Sequence, residues 1–174
     1  MKLIPLDNYL LYEGKYLSFF KRKFLDKDGK SKEYEYIERN KNQKAVVIIA
    51  QKENQILLIK QYRIPVLNYV IEFPAGLMDE NEKIEQTAVR ELLEETGYRA
   101  EIVEISPLIL TSAGLTTEQI YFVKVNLLDF EGTNCESSED IEVFWVNKEK
   151  WEKLKKDNIY INGWVYAYLE GLYN

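Results

Sequence analysis

Histidine does not occur among the 174 residues of this chain. Without an imidazole, the chain can build no Ser-His triad, no Cys-His pair and no histidine-bound zinc site from its own residues. A general base at neutral pH must then be Glu, Asp, Lys, Tyr or an activated water. A metal held by oxygen ligands alone points to Mg²⁺ or Mn²⁺, with Ca²⁺ as the less catalytic option. Cysteine occurs once, as Cys135, which excludes an intrachain disulfide and says nothing of secretion. Long apolar runs are also missing. The longest, Ala45 to Ala50, has the length of a strand and falls far short of a membrane span. The opening residues, Met1 to Tyr16, lack the apolar core of a signal peptide, which points to a cytoplasmic location. A basic surplus is absent too: the net charge is −6, and phosphate neutralisation needs a concentrated basic surface. The densest basic cluster, Lys21-Arg22-Lys23, is short, lies in an alternating segment and reads as a solvated strand edge.

An apolar fraction of 46% and a charged fraction of 30% describe an ordinary soluble globular protein rather than a disordered one. The length suits one domain, or one domain with a small appendage, that buries about 70% of its unfolded surface. Ser18–Leu25 and Lys32–Arg39 read as strands joined by the turn-forming Asp26-Lys27-Asp28-Gly29. After the polar break Asn40-Lys41-Asn42, Ala45–Ala50 and Gln55–Gln61 read as a hairpin around Glu53-Asn54. Val70–Phe73 is a short strand stopped by Pro74. Helical spacing then runs from Glu82 to Thr96, with Ile84, Ala88 and Leu92 in one row, Val89 and Leu93 in the next, and Gly97 as the carboxyl-terminal cap. Strands follow at Glu101–Ile105, Gln119–Asn126 and Ile141–Asn147. The tail from Lys148 has a helical pattern carried by Trp151, Leu154, Trp164, Tyr168 and Leu172. This order suggests a mixed sheet sandwiched between helices, after a small antiparallel unit in residues 1–40.

The central helix carries an anomaly. Glu91, Glu94 and Glu95 fall within roughly 100° of arc, so three like charges share one side. A solvated helix face is the plain reading; a hard divalent cation is the alternative that relieves the repulsion. Arg90 is placed to brace Glu82 and Glu94, and the backbone carbonyls of Pro74-Ala75-Gly76 offer further oxygen ligands.

Gly76, then Glu82, then Arg90-Glu91-Leu92-Leu93-Glu94-Glu95-Thr96-Gly97-Tyr98 resembles the Nudix hydrolase signature across twenty-three residues. Tyr98 departs from it, standing where an aliphatic residue is usual. The resemblance implies an α/β/α sandwich and Mg²⁺-dependent hydrolysis (with Mn²⁺ as a substitute) of a nucleoside diphosphate linked to another moiety. It implies Glu91 and Glu95 as metal ligands, Glu94 as a further ligand or a group beside them, and the Ala75 carbonyl as a backbone ligand. Arg90 and Glu82 would support them.

The flanks resemble the ADP-ribose pyrophosphatase and nucleoside diphosphate sugar branch of that family. Tyr34-Glu35-Tyr36-Ile37-Glu38-Arg39 looks like a strand ending in a substrate-contacting arginine. Gln61-Tyr62-Arg63-Ile64-Pro65 and Glu72-Phe73-Pro74-Ala75-Gly76 are similar to that branch's approach to the main motif. Arg39 and Arg63 suit a diphosphate through bidentate contacts. Ser112-Ala113-Gly114, followed by Glu118, resembles a substrate loop in which proline usually stands at the position of Ala113. Substrate contacts are thus expected at Tyr36, Arg39, Arg63, Glu72 and Glu118. The acidic stretch Cys135 to Val143 looks like the branch's loop that carries a water-activating glutamate, with Glu136 the better match and Glu139 the reserve. Tyr34, Tyr36 or Phe19 would stack a base, and relatives imply a homodimer through the amino-terminal strands. Two other readings stand beside this one: a nucleotide-sugar sensor that binds without hydrolysis, and a Nudix hydrolase of another substrate such as a GDP-sugar.

Overall fold

The computed structural model describes residues 2–39, 43–135 and 140–173. Along the chain the elements run β1 (Ile4–Glu13), β2 (Leu17–Leu25), β3 (Ser31–Arg39), β4 (Ala45–Lys52), β5 (Gln55–Arg63), β6 (Asn68–Glu72) and β7 (Ala75–Leu77). Helix α1 (Ile84–Thr96) follows, then β8 (Tyr98–Ile105), β9 (Ile109–Leu110), β10 (Gln119–Phe130) and β11 (Ile141–Val146). The chain ends in α2 (Lys148–Leu154), β12 (Tyr160–Ile161) and α3 (Gly163–Tyr173). Two compact units emerge: residues 1–44 with 108–120, and residues 45–107 with 121–174.

In the first unit β1, β2 and β3 form an antiparallel sheet in that order. The β2–β3 turn is built as its sequence suggests. Asp26 Oδ1 accepts from the backbone N–H groups of Asp28 and Lys30, and Gly29 takes φ 77°, a value that favours glycine. Strand β1 was not anticipated. Its run Ile-Pro-Leu-Asp-Asn-Tyr-Leu-Leu-Tyr-Glu alternates poorly, and every residue of it is exposed. The loop after β9 lies along β3, with Ile37 donating to the Leu115 carbonyl and Thr117 donating to the Ile37 carbonyl.

The second unit is built on a sheet ordered β12-β6-β5-β4-β10-β8, with β11 also paired to β5 and β7 to β4. Strand β12 runs parallel to β6, whereas β5 is antiparallel to β4, β6 and β11, so the sheet is mixed. Strand β4 is buried on both faces, as its unbroken apolar run requires. Val46, Ile48 and Ala50 point to one side and pack with Leu57, Val123, Val125 and the α1 residues Ala88 and Leu92. On β10 the neighbouring side chain, Phe122, faces the other way and meets Trp164 of α3 edge-on at 5.9 Å. Phe73 likewise meets Tyr168 of α3 at 5.6 Å. Helices therefore cover both faces, an α/β/α sandwich.

Helix α1 begins at Ile84 rather than Glu82, and its capping explains the difference. Gln86 accepts from the Lys83 backbone N–H at 2.9 Å, which fixes Lys83 as the last non-helical residue. The helix ends at Gly97 as expected, at φ 76° with its N–H on the Leu93 carbonyl. The carboxyl-terminal pattern resolves into two helices separated by β12, because Asn162 caps α3 afresh by accepting from the Trp164 N–H at 2.9 Å.

Candidate active site

Strand β6, strand β7 and α1 bring the acidic residues together. Pro74 cannot continue the β6 ladder, yet its carbonyl accepts from the Ile48 N–H at 2.8 Å, so the turn into β7 is held against β4. The next residue, Ala75, donates its backbone N–H to Glu95 Oε2 at 3.0 Å. Glu95 is only 2% exposed, an unusual position for a carboxylate. At Gly76 the Glu91 carboxyl lies directly over the backbone: an added Cβ would stand 1.8 Å from Glu91 Cδ. Glycine is required there for room, not for its backbone angle.

Arg90 organises the remaining acids. Its Nε and Nη2 form a bidentate pair with Glu82 at 2.9 Å each, and Nη2 also donates to the Leu77 carbonyl. Its Nη1 donates to Glu91 at 2.8 Å and to Glu94 at 3.2 Å. The expected brace between Glu82 and Glu94 is present, with two differences. Glu82 approaches from the turn before the helix rather than from its surface, and Glu91 shares the same guanidinium. Glu82 also accepts from the Thr87 hydroxyl and the Asp79 N–H. The hydrogen bonds from Arg90 hold its carboxyl down at about 2, against an ordinary 4.5. Arg90 in turn is held above the usual arginine range, chiefly by Glu82. Thr87 was missed by sequence reasoning, since one threonine inside a helix carries no signal for such a contact.

On the neighbouring strands, Arg63 Nε donates to Glu72 Oε2 at 2.6 Å, and Asn162 donates to Glu72 Oε1 at 3.2 Å. The structure thus joins two residues expected to touch substrate and adds Asn162, which sequence reasoning missed. In the amino-terminal unit, Arg39 pairs with Glu118 at 3.2 Å, and Thr111 donates to the same carboxylate at 3.0 Å. The Tyr36 ring stacks on Phe20 at 5.5 Å, and its hydroxyl accepts from Asn8 and Arg22. It also lines a cavity of about 330 Å³ with Arg22, Phe24, Tyr34, Ala113 and Thr116.

Glu136 and Glu139 lie outside the described residues. The chain before them is tied to the end of α1, where the Asn134 N–H donates to the Glu94 carbonyl at 2.9 Å. The chain after them is tied to β5 and β6. Tyr69 donates its hydroxyl to Asp140 Oδ2 at 2.5 Å, and the Tyr62 N–H donates to the Asp140 carbonyl. Among the described residues, no set of three or more Asp, Glu or Cys side chains stands close enough to enclose a metal ion. The donors around Gly76 and α1 are nonetheless all oxygen, from carboxyl groups and backbone carbonyls. Such a set suits a hard divalent cation and is a poor match for a soft one.

Comparison with known proteins agrees with this architecture. A curated mouse ADP-sugar pyrophosphatase is 35% identical over 135 residues, covering 72% of this chain and 62% of that protein. The ADP-ribose pyrophosphatase of Saccharomyces cerevisiae is 40% identical over 115 residues, covering 61% of this chain and 49% of its own length. This chain thus spans less than two thirds of each of these two relatives, and about half of the second. The Bacillus subtilis ADP-ribose pyrophosphatase is 31% identical over 147 residues, covering 83% of this chain and 78% of that protein. A crystal structure of an ADP compounds hydrolase superposes with a TM-score of 0.75 at 21% identity, covering 91% of this chain and 85% of that one, and shows the same fold. The NUDIX domain model matches residues 41–165, and the chain belongs to that family.

Proposed function

We propose that this chain hydrolyses the diphosphate linkage of ADP-ribose or a related nucleoside diphosphate sugar, giving a nucleoside monophosphate and a sugar phosphate. The observation that carries the reading is the intact acidic cluster of α1 on the Gly76 turn, with Arg90 joined to Glu82, Glu91 and Glu94 and with Glu95 joined to Ala75. The pyrophosphatase relatives supply the substrate class. Residues 41–174 form the hydrolase domain, and residues 1–40 contribute substrate contacts and a homodimer interface. We place its action in the cytoplasm; among the described residues no helix is long and apolar enough to cross a membrane.

Glu91, Glu94, Glu95 and the Ala75 carbonyl would hold Mg²⁺ or Mn²⁺. When bound, such a cation neutralises charge on diphosphate oxygens and acidifies a bound water. The chain's own residues do the positioning. Glu72 fixes Arg63 through Nε, which orients the planar guanidinium for bidentate contact with a phosphate. In the amino-terminal unit Glu118 holds Arg39 by a different atom, Nη2. With histidine absent, the proton of the attacking water passes to a carboxylate, which we assign to Glu136 or Glu139.

Incubation with ADP-ribose should yield AMP and ribose 5-phosphate in the presence of Mg²⁺ and neither product with excess chelator. Glu95→Gln should abolish turnover, and full activity in that variant would refute the metal assignment. Binding without hydrolysis under both Mg²⁺ and Mn²⁺ would instead identify a nucleotide-sugar sensor. A clear preference for GDP-sugars would move the substrate.

A further inference from the structure

Asn162 stands between β12 and α3 and is bonded through every polar group it has. Its backbone N–H donates to the Ile71 carbonyl at 2.9 Å, and its own carbonyl accepts from the Tyr166 N–H at 3.0 Å. The side chain has two partners of different kinds. Oδ1 accepts from the Trp164 N–H at 2.9 Å and so caps α3, while Nδ2 donates to Glu72 Oε1 at 3.2 Å. The cap decides which way the amide faces. A helix N–H must meet an acceptor, so the nitrogen is the end presented to Glu72. Capping alone does not call for asparagine, because aspartate caps as well and has no hydrogen to donate.

Glu72 is the middle of a chain of contacts. Asn162 holds its Oε1, and Arg63 Nε donates to its Oε2 at 2.6 Å, so each carboxyl oxygen has a partner. Arg63 needs that anchoring. In the β5–β6 ladder Arg63 lies opposite Asn68 and Ile59 lies opposite Glu72, so the guanidinium reaches back along the strand to meet its partner. A long side chain that is 43% exposed is held only weakly by an ion pair acting alone. Here the pair is secured from its inner end. The Glu72 side chain is only 12% exposed, and behind it Asn162 opens a helix whose Val165 and Leu169 are buried.

We propose that Asn162 is a positioning residue for substrate binding, whose amide acts through Glu72 to hold the Arg63 guanidinium in the plane that receives a diphosphate. That role rests on the hydrolytic reading, in which Arg63 meets a phosphate. The Glu72 contact occupies Nε, which directs the Nη1–Nη2 edge to the ligand. A planar group offered in one orientation binds a phosphate bidentately with less ordering left to do. Asn162 itself touches no substrate; the fixed start of α3 reaches the ligand through two intervening side chains.

The test measures the full chain in two ways: turnover of ADP-ribose with Mg²⁺, and calorimetric binding of ADP-ribose in excess chelator. Wild type that binds but does not turn over would refute hydrolysis alone and leave the binding comparison intact; wild type that does neither would overturn both readings. Asn162→Asp keeps the cap and sets a carboxyl group against Glu72. It should raise KM and Kd about tenfold, the scale of one hydrogen bond to a charged group, and melt near the wild-type temperature. Its kcat should stay within about twofold, the pattern of lost uniform binding. Asn162→Ser, a shorter capping side chain, should show the same split. In a Glu72→Ala background, Asn162→Asp should add less than about twofold, because the link is already cut. Three results would overturn the proposal: wild-type KM and Kd in both Asn162 variants, a full tenfold loss added on Glu72→Ala, or a fall of several degrees in melting temperature for both variants. The last would leave Asn162 a structural cap and nothing more.

Discussion

At the scale of single residues, the site depends on close approach and on shared charge. Gly76 illustrates the first. Alanine there would force the Glu91 carboxyl aside, since its Cβ would fall 1.8 Å from Glu91 Cδ. Gly76→Ala should reduce kcat/KM by about 100-fold, the scale expected when a reacting constellation shifts by an ångström, and should weaken Mn²⁺ binding measured by titration. Glu82 illustrates the second. Its carboxyl sits at about 2 in the folded chain, against 4.5 ordinarily. Because the folded value is the lower one, the stabilisation is fully present above about 4.5 and drains away as pH falls toward about 2. Melting temperatures recorded down this range should fall more steeply for wild type than for Glu82→Gln, which should start lower and change less. Parallel curves would remove Glu82 from the acid-stability argument.

At the scale of elements, α1 and its cap explain why so much was legible beforehand. A 3.6-residue apolar row, a terminal glycine and a fixed pattern of acids are all local signals, and the helix stands where they put it, two residues shorter at its start. Gly97 is held by more than its φ of 76°, because a Cβ would also lie 2.7 Å from Phe130 and 2.8 Å from Gly132. Gly97→Ala should therefore lower unfolding stability by about 1–3 kcal/mol in urea titrations. A neutral result would show that the cap relaxes freely. What the sequence did not disclose depends on distant partners. The joining of Glu72 to Arg63 and Asn162, and of Glu118 to Thr111, is decided by strand register rather than by neighbours in the chain. Strand β1 escaped notice because its apolar residues follow no clean alternation and its burial pattern has none to follow.

At the scale of the whole molecule, the exposed apolar residues of β1 form one anomaly. Ile4, Leu6, Leu10 and Leu11 are each about half exposed, more apolar edge than an edge strand usually shows to water. Light scattering on the intact protein should give the mass of a dimer, and Leu6→Asp with Leu10→Asp should give a monomer. A monomeric wild type would remove the dimer proposal. The guanidinium of Arg90 has a different consequence. A positive charge of the protein's own already sits among Glu82, Glu91 and Glu94. The acidic cluster therefore does not wait on a metal in order to fold, unlike domains whose ligands repel until one arrives. Excess chelator should silence the enzyme while leaving its melting temperature nearly unchanged. On the proposed reading a divalent ion would be a visitor to a site with a permanent tenant, and its affinity would depend on how readily Arg90 gives up its hold on Glu91 and Glu94.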